Sequence, residues 1–256
     1  MLNLVDTHCH LHFPDFDADR EEVIRRAREA GVRFMVNVGT DPGTNAKAHA
    51  LASLYDFMGY SVGLHPHSAH EADEAVFAEL ERQIVSTRPA AIGEIGLDYF
   101  KSEGEPETQK KVFRRMLALA KKHSLPVIIH SRNALDDTYA ILSEASKEGV
   151  RGVMHCFSYD EEAMHKLSGL GFYISFTCNI TFKNAGALLE AAKRTPLDRL
   201  LFETDSPYLS PRRGKRNEPM HVAELAVFLG EARGESPEKL ADAATANAKK
   251  LFGFKG

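Results

Sequence analysis

The chain predicts an α/β fold, a (β/α)8 barrel of the TIM type, and three observations carry the prediction. Short apolar runs alternate with longer helix-like stretches along the 256 residues. Eight such runs can be read, the number with which this barrel closes. Several of them lead into a residue of metal-binding type, and this fold keeps its active sites at the C-terminal strand ends. An open doubly wound sheet is the alternative, but it gives no evident reason for ligand-type residues on the ends of non-adjacent strands. No repeat, low-complexity tract or long linker divides the chain, so one domain spanning 1–256 is expected.

The elements follow in order. The run 4–8 leads into His8 and His10. Alternate side chains of a strand share a side, so both imidazoles leave in one direction while Cys9 between them points away. Residues 19–30 read as a helix with an acidic first turn and a stop at Gly31. Strands are expected at 33–38 and 59–64, the second followed by His65, Pro66 and His67. The run 90–95 carries Glu94, and 126–130 closes on His130. Between them, 105–123 shows Phe113, Met116, Leu117 and Ala120 at helical spacing. A helix over 134–148 stops before Gly149. Strands at 152–155, 172–176 and 199–203 follow, with His155 ending the first and Asp205 just past the last. Helices at 217–233 and 237–252 close the chain. Val, Ile, Phe and Met dominate several strands, as in strands covered on both faces.

Composition narrows the function classes. Apolar residues make up 43% and charged residues 27%, an ordinary globular balance. No apolar run approaches the length of a membrane-spanning helix, and no secretory leader is recognisable. Cys9, Cys156 and Cys178 have no framework spacing, so reduced thiols and a cytoplasmic location are expected. A net charge of -4 argues against a broad basic surface that coats nucleic acid. It leaves room for a local patch, and the dense basic run from Arg212 to Arg216 is the candidate.

Four histidines and two carboxylates at matched strand ends, His8, His10, Glu94, His130, His155 and Asp205, suffice for two divalent ions sharing a ligand. Any one of them alone reads better as a core histidine or a capping acid; together they do not. Glu94 is placed to bridge ions about 3.5–4 Å apart, which can activate a water and clamp the attacking and leaving oxygens. Asp205 is expected to bind metal and accept a proton. Glu203 either takes part in catalysis or orients a histidine. His65 is expected to hold a phosphate or protonate a leaving group, with a turn histidine as the alternative. Asp98 orients a histidine or a substrate group, or caps a loop. Arg132 suits bidentate phosphate contact as well as a surface ion pair. Arg213, Lys215 and Arg216 are expected at the mouth, on phosphates, with a solvated surface as the alternative. His67 and His70 are expected to face solvent, His12 to lie outside the centre, and Cys156 to be a packed thiol.

The runs Asp6-Thr7-His8-Cys9-His10-Leu11, Gly63-Leu64-His65-Pro66 and Gly93-Glu94-Ile95-Gly96-Leu97-Asp98-Tyr99 form a recognisable series. It continues through His130-Ser131-Arg132, His155-Cys156-Phe157-Ser158, Phe182-Lys183, Glu203-Thr204-Asp205-Ser206-Pro207-Tyr208-Leu209 and the segment from Arg213 to Pro219. With them the chain resembles, nearly end to end, the TatD family of metal-dependent deoxyribonucleases in the wider amidohydrolase-like group. The resemblance implies the barrel and a two-metal site, with His8, His10, Glu94 and Asp205 on one ion and Glu94, His130 and His155 on the other. It further implies hydrolysis of DNA phosphodiesters by a two-metal-activated water, as a 3′→5′ exonuclease on single strands. DNA is then a substrate, with no membrane and no obligate protein partner. Departures from the family pattern are Asn133, Tyr159 and His12, where the family often has Asp, Gly and Asp; none is a proposed ligand. The metals are Mg, Mn or Zn: imidazoles favour the latter two, while the family's nucleases are described as magnesium-dependent. The rival readings are a small-molecule amidohydrolase, lactonase or phosphotriesterase, and a nucleic-acid binder without catalysis. Many members of the wider group bridge their metals with a carboxylated lysine, and Glu94 at that place favours the nuclease branch.

Overall fold

The computed structural model describes residues 2–101 and 105–254. Its strands are β1 (Leu4–Cys9), β2 (Val32–Val38), β3 (Met58–Val62), β4 (Ala91–Asp98), β5 (Val127–Arg132), β6 (Gly152–Met154), β7 (Tyr173–Phe176) and β8 (Leu200–Phe202). They form a single parallel sheet of 8 strands in sequence order. A parallel bridge between Cys9 and Ser206 brings its two edges together, so the sheet is a nearly closed barrel. The expected strands are all present. Several boundaries differ, most at β4 and β5, which run on to Asp98 and Arg132 instead of stopping at 95 and 130, because Gly96, Leu97 and Asp98 continue the pairing with His130, Ser131 and Arg132. Glu94 therefore sits inside a strand and not at its end.

Helices α1 (Arg20–Glu29), α2 (Pro42–Ala52), α3 (Glu74–Thr87), α4 (Pro106–His123), α5 (Leu135–Lys147), α6 (Glu161–Gly169), α7 (Gly186–Arg194), α8 (Val222–Arg233) and α9 (Pro237–Phe252) connect and cover the strands. The sequence reading did not single out α2, α3, α6 and α7. Three of them begin with an aspartate cap: in α3 Asp73 accepts from Val76 N at 2.8 Å, in α6 Asp160 accepts from Ala163 N at 2.9 Å, and in α2 the cap is Asp41. A capping box of Asp41 and Thr44 opens α2, whose buried face is mostly small, Asn45, Ala48 and Ala52 beside Leu51, and so shows little apolar periodicity. The helix expected over 217–233 starts only at Val222. Asn217 is instead spent on a tether, donating Nδ2 to Thr204 O at 2.8 Å and accepting from Glu218 N at 2.9 Å.

The barrel interior is layered. Val5, Phe34, Val36, Ala91, Ile128, Val153, Tyr173 and Leu201, contributed by β1, β2, β4, β5, β6, β7 and β8, pack into one apolar cluster with Leu251 and Phe252 of α9. Phe254 stacks on Phe34 at 3.9 Å, adding a plug beyond α9. A buried polar layer follows. Thr7 Oγ1 of β1 lies 3.3 Å from Ser175 Oγ of β7, the two strands that flank β8, and donates to Phe202 O at 3.0 Å, while Ser61 Oγ donates to Gly93 O at 2.6 Å. The histidines and carboxylates stand above it. Among the described residues, no helix is long and apolar enough to cross a membrane.

Close backbone approach is concentrated under the site. A Cβ on Gly63 would lie 2.2 Å from Gly93 C and 2.3 Å from Glu94 N, so the loop after β3 and the middle of β4 touch without room for a side chain. Gly63→Ala should lower stability by about 1–3 kcal/mol or more, the cost of overpacking. Gly169→Ala, where nothing lies within 4 Å of the added carbon, should be neutral or slightly stabilising. Urea denaturation of the two variants checks this; an unchanged midpoint for Gly63→Ala would contradict the contact.

Candidate metal centre

Regular strands alternate sides, yet Thr7 and its neighbour His8 both reach inward, as do Ala91 and Glu94. Two irregularities allow it. The β1–β2 register shifts between Asp6 and Cys9, and the β4–β5 register shifts between Ile92 and Ile95. Such shifts re-aim side chains next to active sites. Asp205 is set by the edge closure: its N–H donates to His8 O at 2.8 Å and its φ is 57°, a left-handed conformation that aspartate tolerates. Asp6 ties the same edges, accepting from Thr204 N at 2.9 Å, Thr204 Oγ1 at 2.6 Å and His8 N at 3.3 Å. Burial, against those hydrogen bonds, pushes the Asp6 carboxyl up to about 8, so it is mostly neutral at pH 7 and needs no counter-charge.

The six candidate ligands converge. His8 Nε2 lies 3.1 Å from His10 Nε2, 3.4 Å from Glu94 Oε2 and 3.6 Å from Asp205 Oδ1. His10 Nε2 lies 3.5 Å from Asp205 Oδ1. The other Glu94 oxygen, Oε1, is 2.8 Å from His130 Nδ1 and 2.9 Å from His155 Nε2. His65 Nε2 approaches the same oxygen at 3.5 Å. Three groups of ligand atoms are close enough to share an ion: His8, His155 and Asp205; His8, His10 and Glu94; His65, Glu94 and His130.

The donor set fits divalent cations. His10 Nδ1 sits 2.7 Å from Val38 O, and a carbonyl only accepts, so Nδ1 carries the proton and Nε2 offers a lone pair. His155 is fixed likewise by Glu203 Oε1, 3.1 Å from its Nδ1, which leaves Nε2 for the centre. Lone pairs and carboxylate oxygens thus face one another at contact distance, an arrangement that a cation reconciles. Histidine and carboxylate together suit zinc or manganese.

The charges reflect the crowding. Burial favours a neutral Glu94, but His155, His65 and His130 outweigh it and hold the carboxylate well below its usual range. Burial likewise opposes ionisation of Asp205, and His10, His155 and His8 still lower it. Burial opposes a proton on His155, yet Glu94 and Glu203 raise it well above an ordinary imidazole. For His130, Asp98 and Glu94 overcome burial in the same sense. His65 goes the other way: burial pushes it down to about 4, and it is a neutral imidazole at pH 7.

A cavity of about 830 Å³ opens over the centre. His10, His65, Glu94, Asp98, Arg132, His155 and Asp205 line it, together with Lys101, Asn179 and Tyr208, to which the sequence reading gave no role at the site. Tyr208 lay within a quoted motif and Lys101 just past one; nothing marked Asn179. Asp98 Oδ2 meets His130 Nε2 at 3.0 Å. His67 is exposed, as expected, and it also lines the cavity and places Nε2 3.0 Å from Asp98 Oδ2, because the turn after Pro66 folds it back over the mouth. His70 is half exposed beside Glu71. Cys156, expected to be packed, is partly exposed in the cavity wall, with φ 44°. Glu203 is fully buried and holds His155 and the Cys156 N–H. His12 hydrogen-bonds Asn37 at 3.0 Å.

The basic run is not brought into this cavity. Lys215 and Arg216 line a separate depression of about 480 Å³ with Arg26, Arg212 and Glu218. Arg216 binds Asp19 Oδ2 at 2.7 Å and Glu218 Oε1 at 3.1 Å, while its guanidinium covers the Phe16 ring. That arginine fastens the loop after β8 to the start of α1. Arg213 and Lys215 are exposed.

Because ligands bind metal deprotonated, ion uptake must displace the protons that His130 and His155 retain. Manganese titrated into metal-free protein at pH 7 should release protons, seen as buffer-dependent heats in calorimetry. Affinity should fall as pH is lowered. Ion at about 100 times its dissociation constant should add about 2.7 kcal/mol of stability. Glu94→Gln should lose most of that gain; a variant stabilised as strongly as the parent would contradict the assignment.

Comparison with known proteins identifies the family. A family model described as TatD related DNase matches residues 5–253. The metal-dependent hydrolase YabD of Bacillus subtilis is 42% identical over 251 residues, covering 97% of this chain and 98% of the relative. A protein of Erwinia billingiae named 3′-5′ ssDNA/RNA exonuclease TatD is 35% identical over 257 residues, covering 97% of this chain and 98% of its own. The crystal structure of YJJV, a TatD homologue from Escherichia coli K12, superposes with a TM-score of 0.93 at 32% identity over 99% of both chains. The chain belongs to the TatD-related family of metal-dependent hydrolases.

Proposed function

We propose that this protein hydrolyses phosphodiester bonds of DNA as a 3′→5′ exonuclease on single strands, with two divalent ions. The observation that carries the reading is Glu94, whose two carboxylate oxygens face separate sets of imidazoles at the floor of a mouth that also holds Arg132 and Lys101. One carboxylate shared this way suits a pair of ions, and the cations suit a phosphate chain. Relatives named 3′-5′ ssDNA/RNA exonuclease TatD support the substrate class. When bound, the ions supply Lewis acidity toward phosphoryl oxygens and lower the pKa of water.

The chain's own groups divide the remaining work. Asp205, ionised and in the cavity wall, binds metal and accepts the proton of the attacking water. His65, neutral, hydrogen-bonds a phosphate oxygen or the leaving group through Nε2. Arg132 neutralises a phosphate, with Arg213 and Lys215 as outer contacts. Glu203 and Asp98 are positioning residues, acting through His155 and His130.

Asp205→Asn keeps size but removes the charge. It should cost at least the roughly 10²–10⁴ of general acid–base help, and more through weakened metal binding, with the fold intact by circular dichroism. The assay is release of nucleotides from a 3′-labelled single strand by metal-stripped protein with Mg, Mn or Zn restored in turn. Lactone and phosphotriester substrates run beside it. Turnover of those without the strand would favour a small-molecule hydrolase, and near-normal turnover by Asp205→Asn would remove it from the mechanism.

A further inference from the structure

Among the described residues, the exposed aromatic rings are Phe100, Phe182 and Tyr208, and all three lie on loops that leave C-terminal strand ends. Phe100 follows β4, Phe182 follows β7 and Tyr208 follows β8. Exposed rings scattered singly are ordinary. Rings confined to the mouth of a hydrolytic cavity, and absent elsewhere on the described surface, call for a use there.

Two of them have defined surroundings. Tyr208 lines the cavity while 54% exposed. Its backbone N–H donates to Asp205 O at 2.9 Å, and its ring stands edge-on to His10 at 6.3 Å, so it is fixed beside the candidate ligands. Its hydroxyl has no hydrogen-bond partner among the described residues, so packing and hydrogen bonding do not explain the ring. Phe100 is 57% exposed and carries the Arg132 guanidinium 4.1 Å above its ring centroid; Arg132 in turn lines the cavity. In a ring of 8 strands, β4 and β8 stand opposite each other. Tyr208 and the Phe100–Arg132 pair therefore flank the mouth from its two sides, with Glu94 and Asp205 between.

We propose that Tyr208 and the Phe100–Arg132 pair are base-stacking platforms that hold the nucleotides on either side of the scissile phosphate and restrict the site to unpaired strands. Aromatic faces and guanidinium planes both stack nucleobases, and they do so with little regard to base identity. A base within a duplex has both faces covered by its neighbours and cannot lie on Tyr208 without leaving the stack. Lys101 and Arg132 beside the rings match the phosphates that accompany each base. The proposal rests on the phosphodiesterase reading and adds the residues that select strandedness.

The test separates bases from backbone. Two strands of equal length are compared, a thymidine oligonucleotide and one made of abasic sugar phosphates, both with phosphorothioate linkages that slow cleavage. Binding to the manganese-loaded protein is read by fluorescence anisotropy, and kcat/KM is measured on the ordinary phosphodiester forms. The parent should prefer the base-bearing strand. Tyr208→Ala and Phe100→Ala should each lose about 5- to 150-fold on that strand, the range of one base–aromatic stack. Affinity for the abasic strand should stay unchanged, and Tyr208→Phe, which keeps the ring, should behave as the parent. Equal losses on both strands would overturn the proposal in favour of support to the metal centre. No loss, or a parent indifferent to bases, would overturn it outright. A parent that binds the base-bearing strand with the predicted pattern yet cleaves no phosphodiester would refute the phosphodiesterase reading alone.

Discussion

Everything at the top of this barrel depends on one buried anion. Glu94 is 4% exposed, and an uncompensated carboxylate at such a place costs several kcal/mol. The fold answers with imidazoles on both oxygens, His8 on one and His65, His130 and His155 on the other. Those histidines come from β1, β5 and the segments just past β3 and β6. Only a closed sheet brings such segments around one point, so barrel closure and site formation are a single requirement.

Closure is itself local chemistry. Asp6 on β1 holds Thr204, His8 O takes the Asp205 N–H, and Asn217 holds Thr204 O. These contacts register β1 against β8 and so set His8 and His10 against Asp205. The buried Asp6 carboxyl can stay neutral, which lets it act as a joint without adding charge next to Glu94 and Asp205. Glu203 and Asp98 then fix the rings of His155 and His130. Arg216 acts further out, clamping the loop after β8 to α1 and leaving Arg213 and Lys215 exposed.

The fold was legible because apolar runs and glycine or proline stops are short-range signals. The His-x-His pair and the later ligands were legible because each stands near the C-terminal end of such a run. What the sequence hid was geometry that a neighbouring strand imposes. Alternation alone cannot turn both Ala91 and Glu94 inward; the register shift against β5 does, and it leaves no mark in β4's composition. His67 reads as a turn residue until Asp98 is known to lie under it. A small-residue helix such as α2 lacks an apolar stripe, and only its Asp41–Thr44 cap announces it. Arg216 reads as one more charge in a basic run; its partners Asp19 and Glu218 are set by the docking of α1.

The central claim is that Glu94 joins two metal positions into one centre. Electron paramagnetic resonance of the protein loaded with two equivalents of manganese tests it directly. Two ions bridged by a carboxylate are magnetically coupled, so the parent should show a dense multiline spectrum with hyperfine spacing about half that of an isolated ion. Glu94→Gln should revert to the six-line pattern of separate ions. A parent that shows only uncoupled six-line manganese at full loading would contradict the account.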